Sequence, residues 1–167
     1  AALKRLTALF EEDPSKLSEA PPDVTGLIGQ DCHGNEPSHH VIYFFSLLGR
    51  RDLAAKYIKE VMDTQYGVEP DGLCGNDDCG QMSAWCIFAS LGFYPFNPCG
   101  GDYVLGAPQV PKTTLHLEGG RTFTVVAKDL SEKNKYVKSV ALNGVPYKDF
   151  ILRHADIMRG GELVFQM

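Results

Sequence analysis

The sequence has no apolar run long enough to cross a bilayer, and its opening residues, AALKRLTALFEED, scatter charges where a secretory leader would carry an uninterrupted apolar core. No membrane span is expected. Positive charge is also short: 16 Lys and Arg against 21 Asp and Glu leave a net −5, and no basic stretch is interleaved with aromatics. That argues against nucleic acid as a partner. Cys-x2-Cys pairs are missing, and the five cysteines, Cys32, Cys74, Cys79, Cys86 and Cys99, follow no regular framework, which reads as free thiols rather than a small disulfide-held domain. The chain opens in what reads as mid-helix, as though continued from a longer polypeptide. Its 167 residues suffice for the core of one ordinary domain.

What is present is concentrated in one stretch, Asp71 to Pro95, DGLCGNDDCGQMSAWCIFASLGFYP. A polar loop punctuated by Gly75 and Gly80 runs directly into an apolar segment, in which Met82, Trp85, Cys86 and Ala89 follow helical spacing while Ala84, Ile87, Phe88 and Leu91 fill the other faces. The spacing predicts a helix buried all round and stopped by Gly92 and Pro95. An aspartate before such a helix is a preferred N-cap. Capping needs one carboxylate, whereas Asn76, Asp77 and Asp78 supply two and an amide, so either a cap alone or a working site fits the spacing. Trp85 reads first as packing; Gln81, one turn after the acids, has the better claim to face a cleft.

Two blocks then carry a resemblance. GLCGNDDCGQMSAW followed by LGFYP, and HGNEPSHH at His33 to His40 upstream of it, resemble the signatures of glycoside hydrolase family 92, the calcium-dependent, inverting exo-α-mannosidases. The likeness continues through YVLGAP at Tyr103 to Pro108, the ALNG turn and HADIMRGGEL near the end, so it covers most of the chain. Two local departures stand out: Leu48 to Asp52 replaces the family's usual Ala-Gly-Gln-Pro-Trp run, and Cys86 replaces a tyrosine. Asn76 stands where many members carry an acid.

The fold class expected is α+β. A short amphipathic helix over Ala2 to Glu12 places Leu3, Leu6, Leu9 and Phe10 on one stripe, and a proline-containing loop follows over Asp13 to Asp23. Val41 to Leu48 is apolar on every side and ends at Gly49. A second amphipathic helix then runs from Asp52 to about Tyr66, with Leu53, Tyr57, Val61 and Met62 inward. Buried helices alternating with amphipathic ones suit part of an (α/α) barrel over residues 1–98, with its polar loops gathered at one mouth. Residues 99–167 change period: Thr113–Leu117, Arg121–Lys128, Tyr136–Leu142, Val145–Lys148 and Glu162–Gln166 read as strands of an antiparallel sheet, with Asn143-Gly144 a hairpin signal and Gly119-Gly120 another turn. His116 and His154 belong to that scaffold.

Inversion at a sugar needs one carboxylic acid to protonate the leaving oxygen and one carboxylate to activate water on the opposite face. A helix N-terminus favours an ionised aspartate. The base is therefore expected at Asp78, with Asp77 second and with Asn76, His33 and Gln81 contacting substrate. The family's acid lies in an EGNAWQ-type motif, which these residues lack, so Glu36 is read with Asn35 as a calcium ligand. Calcium accepts amides, carbonyls and carboxylates together. A zinc site from Cys32, His33, Cys74 and Cys79 is the competing metal reading, disfavoured because the residues between the cysteines are hard oxygen donors. The resemblance implies an α-mannose-containing glycan as substrate, an upstream part of the same enzyme (a β-sandwich and the remaining barrel) as partner, and a secreted or periplasmic location. The alternative is a carbohydrate-binding or structural fragment, inactive without that upstream part.

Overall fold

The computed structural model describes residues 1–16 and 24–167; of the loop expected over 13–23, residues 17–23 lie outside them. Helix α1 (Ala2–Glu11) turns Phe10 into the interior and packs Leu3, Leu6 and Leu9 beside it. A small hairpin, β1 (Leu27–Ile28) with β2 (Asp31–Cys32), is tied to that helix by the Gln30 N–H donating to the Leu9 carbonyl at 2.7 Å.

The apolar segment after the histidines is a 3-10 turn, Val41–Tyr43, that widens into helix α2 (Phe44–Leu47). It ends at Gly49 in a left-handed conformation, φ 77°, with Gly49 N–H bonded to Ser46 O and Arg50 N–H to Phe45 O. This is the paired bonding of a Schellman cap. Only one face is buried: Ile42, Tyr43 and Phe45 are inside, while Phe44, Leu47 and Leu48 are 39%, 37% and 43% exposed. Helix α3 (Arg51–Gln65) follows the expected amphipathic pattern, burying Ala54, Ala55, Tyr57, Ile58 and Val61 and pairing Lys59 with Asp63 one turn on. Helix α4 (Gln81–Leu91) buries Met82, Trp85 and Ala89 but is not buried all round, because Ile87 is 62% exposed. Composition hid that face, since the exposed side of α4 is also apolar.

The C-terminal half has two sheets. Strands β3 (Phe93–Asn97) and β4 (Asp102–Leu105) pair antiparallel, straddling residue 98 and so joining the two expected segments; β9 (Ile151–Arg153) adds to β4. The larger sheet orders β5 (Lys112–His116), β6 (Thr122–Lys128), β10 (Gly161–Gln166), β7 (Ser139–Leu142) and β8 (Val145–Pro146), with β10 between β6 and β7. Asn143 and Gly144 turn β7 into β8 with positive φ at both positions, as a two-residue type I′ hairpin requires. The sheet is not wholly antiparallel: β10 runs parallel to β6 over Gly161–Gln166. The chain reaches that register through the short helix α5 (His154–Arg159), which packs on β6.

Two cores result. One is aromatic and helical, built on Phe10, Tyr43, Phe45, Tyr57 and Trp85; the other lies under the sheets, on Phe93, Phe123, Leu152, Leu163 and Phe165. Phe88 of α4 packs against both, so the helix leaving the acidic loop is the joint between them.

Candidate active site

Two loops meet at the N-terminal end of α4. The first leaves β2: His33 N–H and Gly34 N–H extend the hairpin by bonding Gly26 O and Thr25 O, and the chain then turns through a 3-10 segment, Glu36–Ser38. The second leaves α3 through a reversal closed by Tyr66 opposite Leu73 and by Cys74 N–H on Gln65 O. They touch at glycines. A β-carbon on Gly75 would stand 2.8 Å from Gly34 O, so the second loop approaches the first this closely only with bare backbone at Gly75.

The two aspartates of the second loop part company. Asp77 Oδ1 accepts both Ser83 N–H and Ser83 Oγ at 2.9 Å, satisfying an otherwise unpaired amide of the first turn of α4. It caps that amide from outside the helix, whose N-cap position is Gly80. Asp78 stands exposed at the loop tip with φ 42°, followed by Cys79 at 60° and Gly80 at 92°. Left-handed backbone at two successive non-glycine residues is unfavourable and is retained where the side chain must be aimed. The negative charge of Glu36 is the main cause raising the Asp78 pKa above the usual carboxylate value, with Asp77 adding to it. The helix terminus was expected to lower it; a nearby like charge outweighs a partial charge three residues away.

Glu36 is half-buried, and its Oε1 has no hydrogen-bond partner. Asn35 and Asn76 beside these acids are exposed. Glu36 and Gln81 also line a cleft of about 250 Å³ whose walls include His40, Phe88, Tyr94 and Phe96. Gln81 therefore faces open space, as its position after the acids implied.

His33 does not reach that space as a free side chain. It is 2% exposed, stacked on His39 at 4.6 Å and edge-on to Trp85 at 4.3 Å. Tyr66 gives its hydroxyl proton to Met82 O, so the 2.8 Å contact between His33 Nε2 and Tyr66 Oη is a donation from the ring. Burial, with His39 nearby, pushes the His33 pKa down to about 3 and keeps the ring neutral. His39 donates from Nε2 to His33 O, leaving Nδ1 to accept from Gln81 Nε2, which also donates to Tyr94 Oη. Trp85 Nε1 bonds His39 O. A buried chain of neutral groups thus orients the Gln81 amide at the cleft wall. His39, Tyr66 and Tyr94 are the residues the sequence reading missed. His39 was visible only as part of a histidine cluster, and nothing local marks Tyr66 or Tyr94 as its partners.

Among the described residues no three His, Cys, Asp or Glu side chains converge as a metal cluster. With Cys79 exposed on the loop and His33 Nε2 occupied by Tyr66, the zinc reading has no donor set.

All 167 residues match the family model described as "Glycosyl hydrolase family 92 catalytic domain". An uncharacterized secreted glycosidase of Arthroderma benhamiae is 32% identical over 133 residues, 78% of this chain and 17% of that protein. A family GH92 alpha-mannosidase of Bacteroides thetaiotaomicron superposes with a TM-score of 0.90 at 41% identity, over 99% of this chain and 22% of its own. A family GH92 inverting mannosidase of the same species gives 0.82 at 32% identity, over 99% and 24%. The chain spans about a fifth of the length of these relatives. With a matching family model over its whole length and both signature loops assembled at one site, the chain belongs to glycosyl hydrolase family 92.

Proposed function

We propose that this chain is the base-bearing part of an inverting, calcium-dependent α-mannosidase. The observation that carries the reading is Asp78: an exposed carboxylate on a left-handed loop, near Glu36 and beside the cleft that Gln81 lines. A base must be solvent-facing and unencumbered by structural bonds, and of the two aspartates only Asp78 is free of the cap. Asp78 takes the proton from the attacking water, and Asn76 and Gln81 orient water and sugar hydroxyls. The general acid comes from outside these residues, and the leaving group departs on the opposite face of the ring.

The donor set fits a hard cation. Glu36 Oε1 is buried without a partner, the negative charges of Glu36 and Asp78 act on each other, and Asn35 and Asn76 on the same two loops carry hard oxygen donors. Glu36 and Asn35 would hold calcium, with backbone carbonyls and water completing the shell. When bound, the ion would act as a Lewis acid toward the sugar's hydroxyls. The similarity to a secreted glycosidase supports a secreted location for the longer enzyme. A groove beside α1 supports further helices of the same polypeptide as its neighbour, since the chain spans about a fifth of its relatives.

The test is Asp78→Asn in the longer enzyme with an aryl α-mannoside and calcium. Turnover falls by about 10²–10⁴-fold, and proton NMR of the parent enzyme's product finds the β anomer first. Undiminished turnover by the variant, or initial α anomer from the parent, rejects the assignment.

A further inference from the structure

Cys32 and Cys74 have no part in the chemistry above, yet each immediately precedes one of the two signature loops. Cys32 Sγ donates to Thr25 O at 3.1 Å. Cys74 Sγ lies on Gly26, close enough that a β-carbon there would stand 2.5 Å from the sulfur. Thr25 and Gly26 are consecutive, so both sulfurs rest against one peptide unit, approached from two different segments of the chain. Each thiol is half-buried and so within reach of a small reagent. The other three cysteines stand elsewhere: Cys79 on the exposed loop tip, Cys86 inside α4 and Cys99 in the β3–β4 turn. Gly26, held at φ 66°, leaves room for Cys74 Sγ that the β-carbon of any larger residue would take.

We propose that Cys32 and Cys74 are an oxidative modification site, forming a disulfide that fastens the Asn35–Glu36 loop to the Asn76–Asp78 loop. Cys32 releases Thr25 O by rotating its side chain, and the two sulfurs bond. The oxidant is a disulfide of the glutathione type. The thiolate of one cysteine attacks it and expels one glutathione thiolate, the second cysteine attacks the mixed disulfide and expels the other, and two protons are released to solvent. Oxidising conditions outside cells favour the bridged form, and reducing ones the dithiol. The consequence for catalysis rests on the function proposed above: the bridge would hold the loop bearing Glu36 against the loop bearing Asp78, adding a covalent tie to the close approach of Gly34 and Gly75.

The experiment incubates the chain with oxidised glutathione at pH 8, alkylates the remaining thiols, digests without reduction and maps the peptides by mass spectrometry. The expected product joins the Cys32 and Cys74 peptides, two hydrogens lighter than their sum, with Cys79, Cys86 and Cys99 alkylated. Cys32→Ser and Cys74→Ser each abolish it. The thermal midpoint of the bridged chain rises by about 5 °C or more, and dithiothreitol reverses the rise. Both cysteines alkylated, glutathione adducts alone, or pairing to Cys79 overturns the proposal. The readout needs neither calcium nor turnover. A bridge in a longer protein without mannosidase activity sinks the catalytic reading alone, and activity without a bridge sinks this one alone.

Discussion

Asp77 and Asp78 carry the same functional group, and the peptide between them turns one toward the helix and the other toward solvent. Asp77→Ala removes the acceptor for two donors of Ser83 and should cost about 1 kcal/mol of stability. Asp78→Asn keeps the exposed tip polar and should leave the thermal midpoint essentially that of the parent. Thermal unfolding of the two variants separates the cap from the base without any assay; a large loss from Asp78→Asn would mean that the loop geometry depends on its charge. The sequence ranked Asp78 ahead of Asp77 as base but did not tell which of them caps the helix, because that depends on which carboxylate meets Ser83. Asp31 makes a second residue-scale prediction. It is 5% exposed, and burial raises its pKa to about 7. The folded protein thus holds a proton here that the unfolded chain gives up near pH 4. Stability from this group falls as pH rises between about 4 and 7 and stays low above. Asp31→Asn should flatten that slope and stabilise the protein by about 2–4 kcal/mol at pH 8, measured by urea unfolding at pH 5 and 8. An unchanged slope would mean that Asp31 ionises without penalty.

At the level of elements, the glycine contact between the loops makes the sharper test. Gly75→Ala places a methyl 2.8 Å from Gly34 O, in backbone that has no flexible side chain to give way. The loops must separate, carrying Glu36 away from Asp78. In the longer enzyme, turnover should drop at least about tenfold while far-ultraviolet dichroism is retained; parent-like kinetics would show that the approach is dispensable. How much of the elements could be read beforehand follows the range of the signal. Asn143-Gly144 specified its hairpin because a type I′ turn is a property of two adjacent residues, and α3 declared itself by burying Tyr57 and Val61 a turn apart. The parallel pairing of β10 with β6 left no such trace: alternation in Leu163, Phe165 and Met167 reports a buried face, not the direction of the neighbour. The strands Phe93–Asn97, Asp102–Leu105 and Ile151–Arg153 were likewise invisible, being short and joined only by tertiary pairing. The two loops were legible as motifs, yet their contact, and with it the raised pKa of Asp78, is a fact of packing.

For the whole molecule, the open question is what lies over α1 and α2. A groove of about 1150 Å³ runs between Leu6, Leu9, Phe44 and Leu48, rimmed by Lys4, Arg5 and Glu12. With Phe44, Leu47 and Leu48 each more than a third exposed, this face has the character of an interior surface cut open. The solved relatives are four to five times longer than the part that this chain matches, which is ample length to cover it. Inversion with Asp78 as the proposed base also needs a second carboxyl group across the sugar, at roughly 6.5–9.5 Å. The EGNAWQ-type motif expected to carry that group is absent from these residues, so it is expected from outside them. The isolated 167-residue chain should therefore fold around its two cores yet turn over an aryl α-mannoside negligibly with saturating calcium, while a longer protein containing it is active under the same conditions. It should also bind a hydrophobic dye at the α1–α2 face, a signal that Leu48→Lys reduces without altering the melting midpoint by more than about 2 °C. Robust turnover by the short chain would place the acid among these residues after all and would overturn both the pairing argument and the assignment of Glu36.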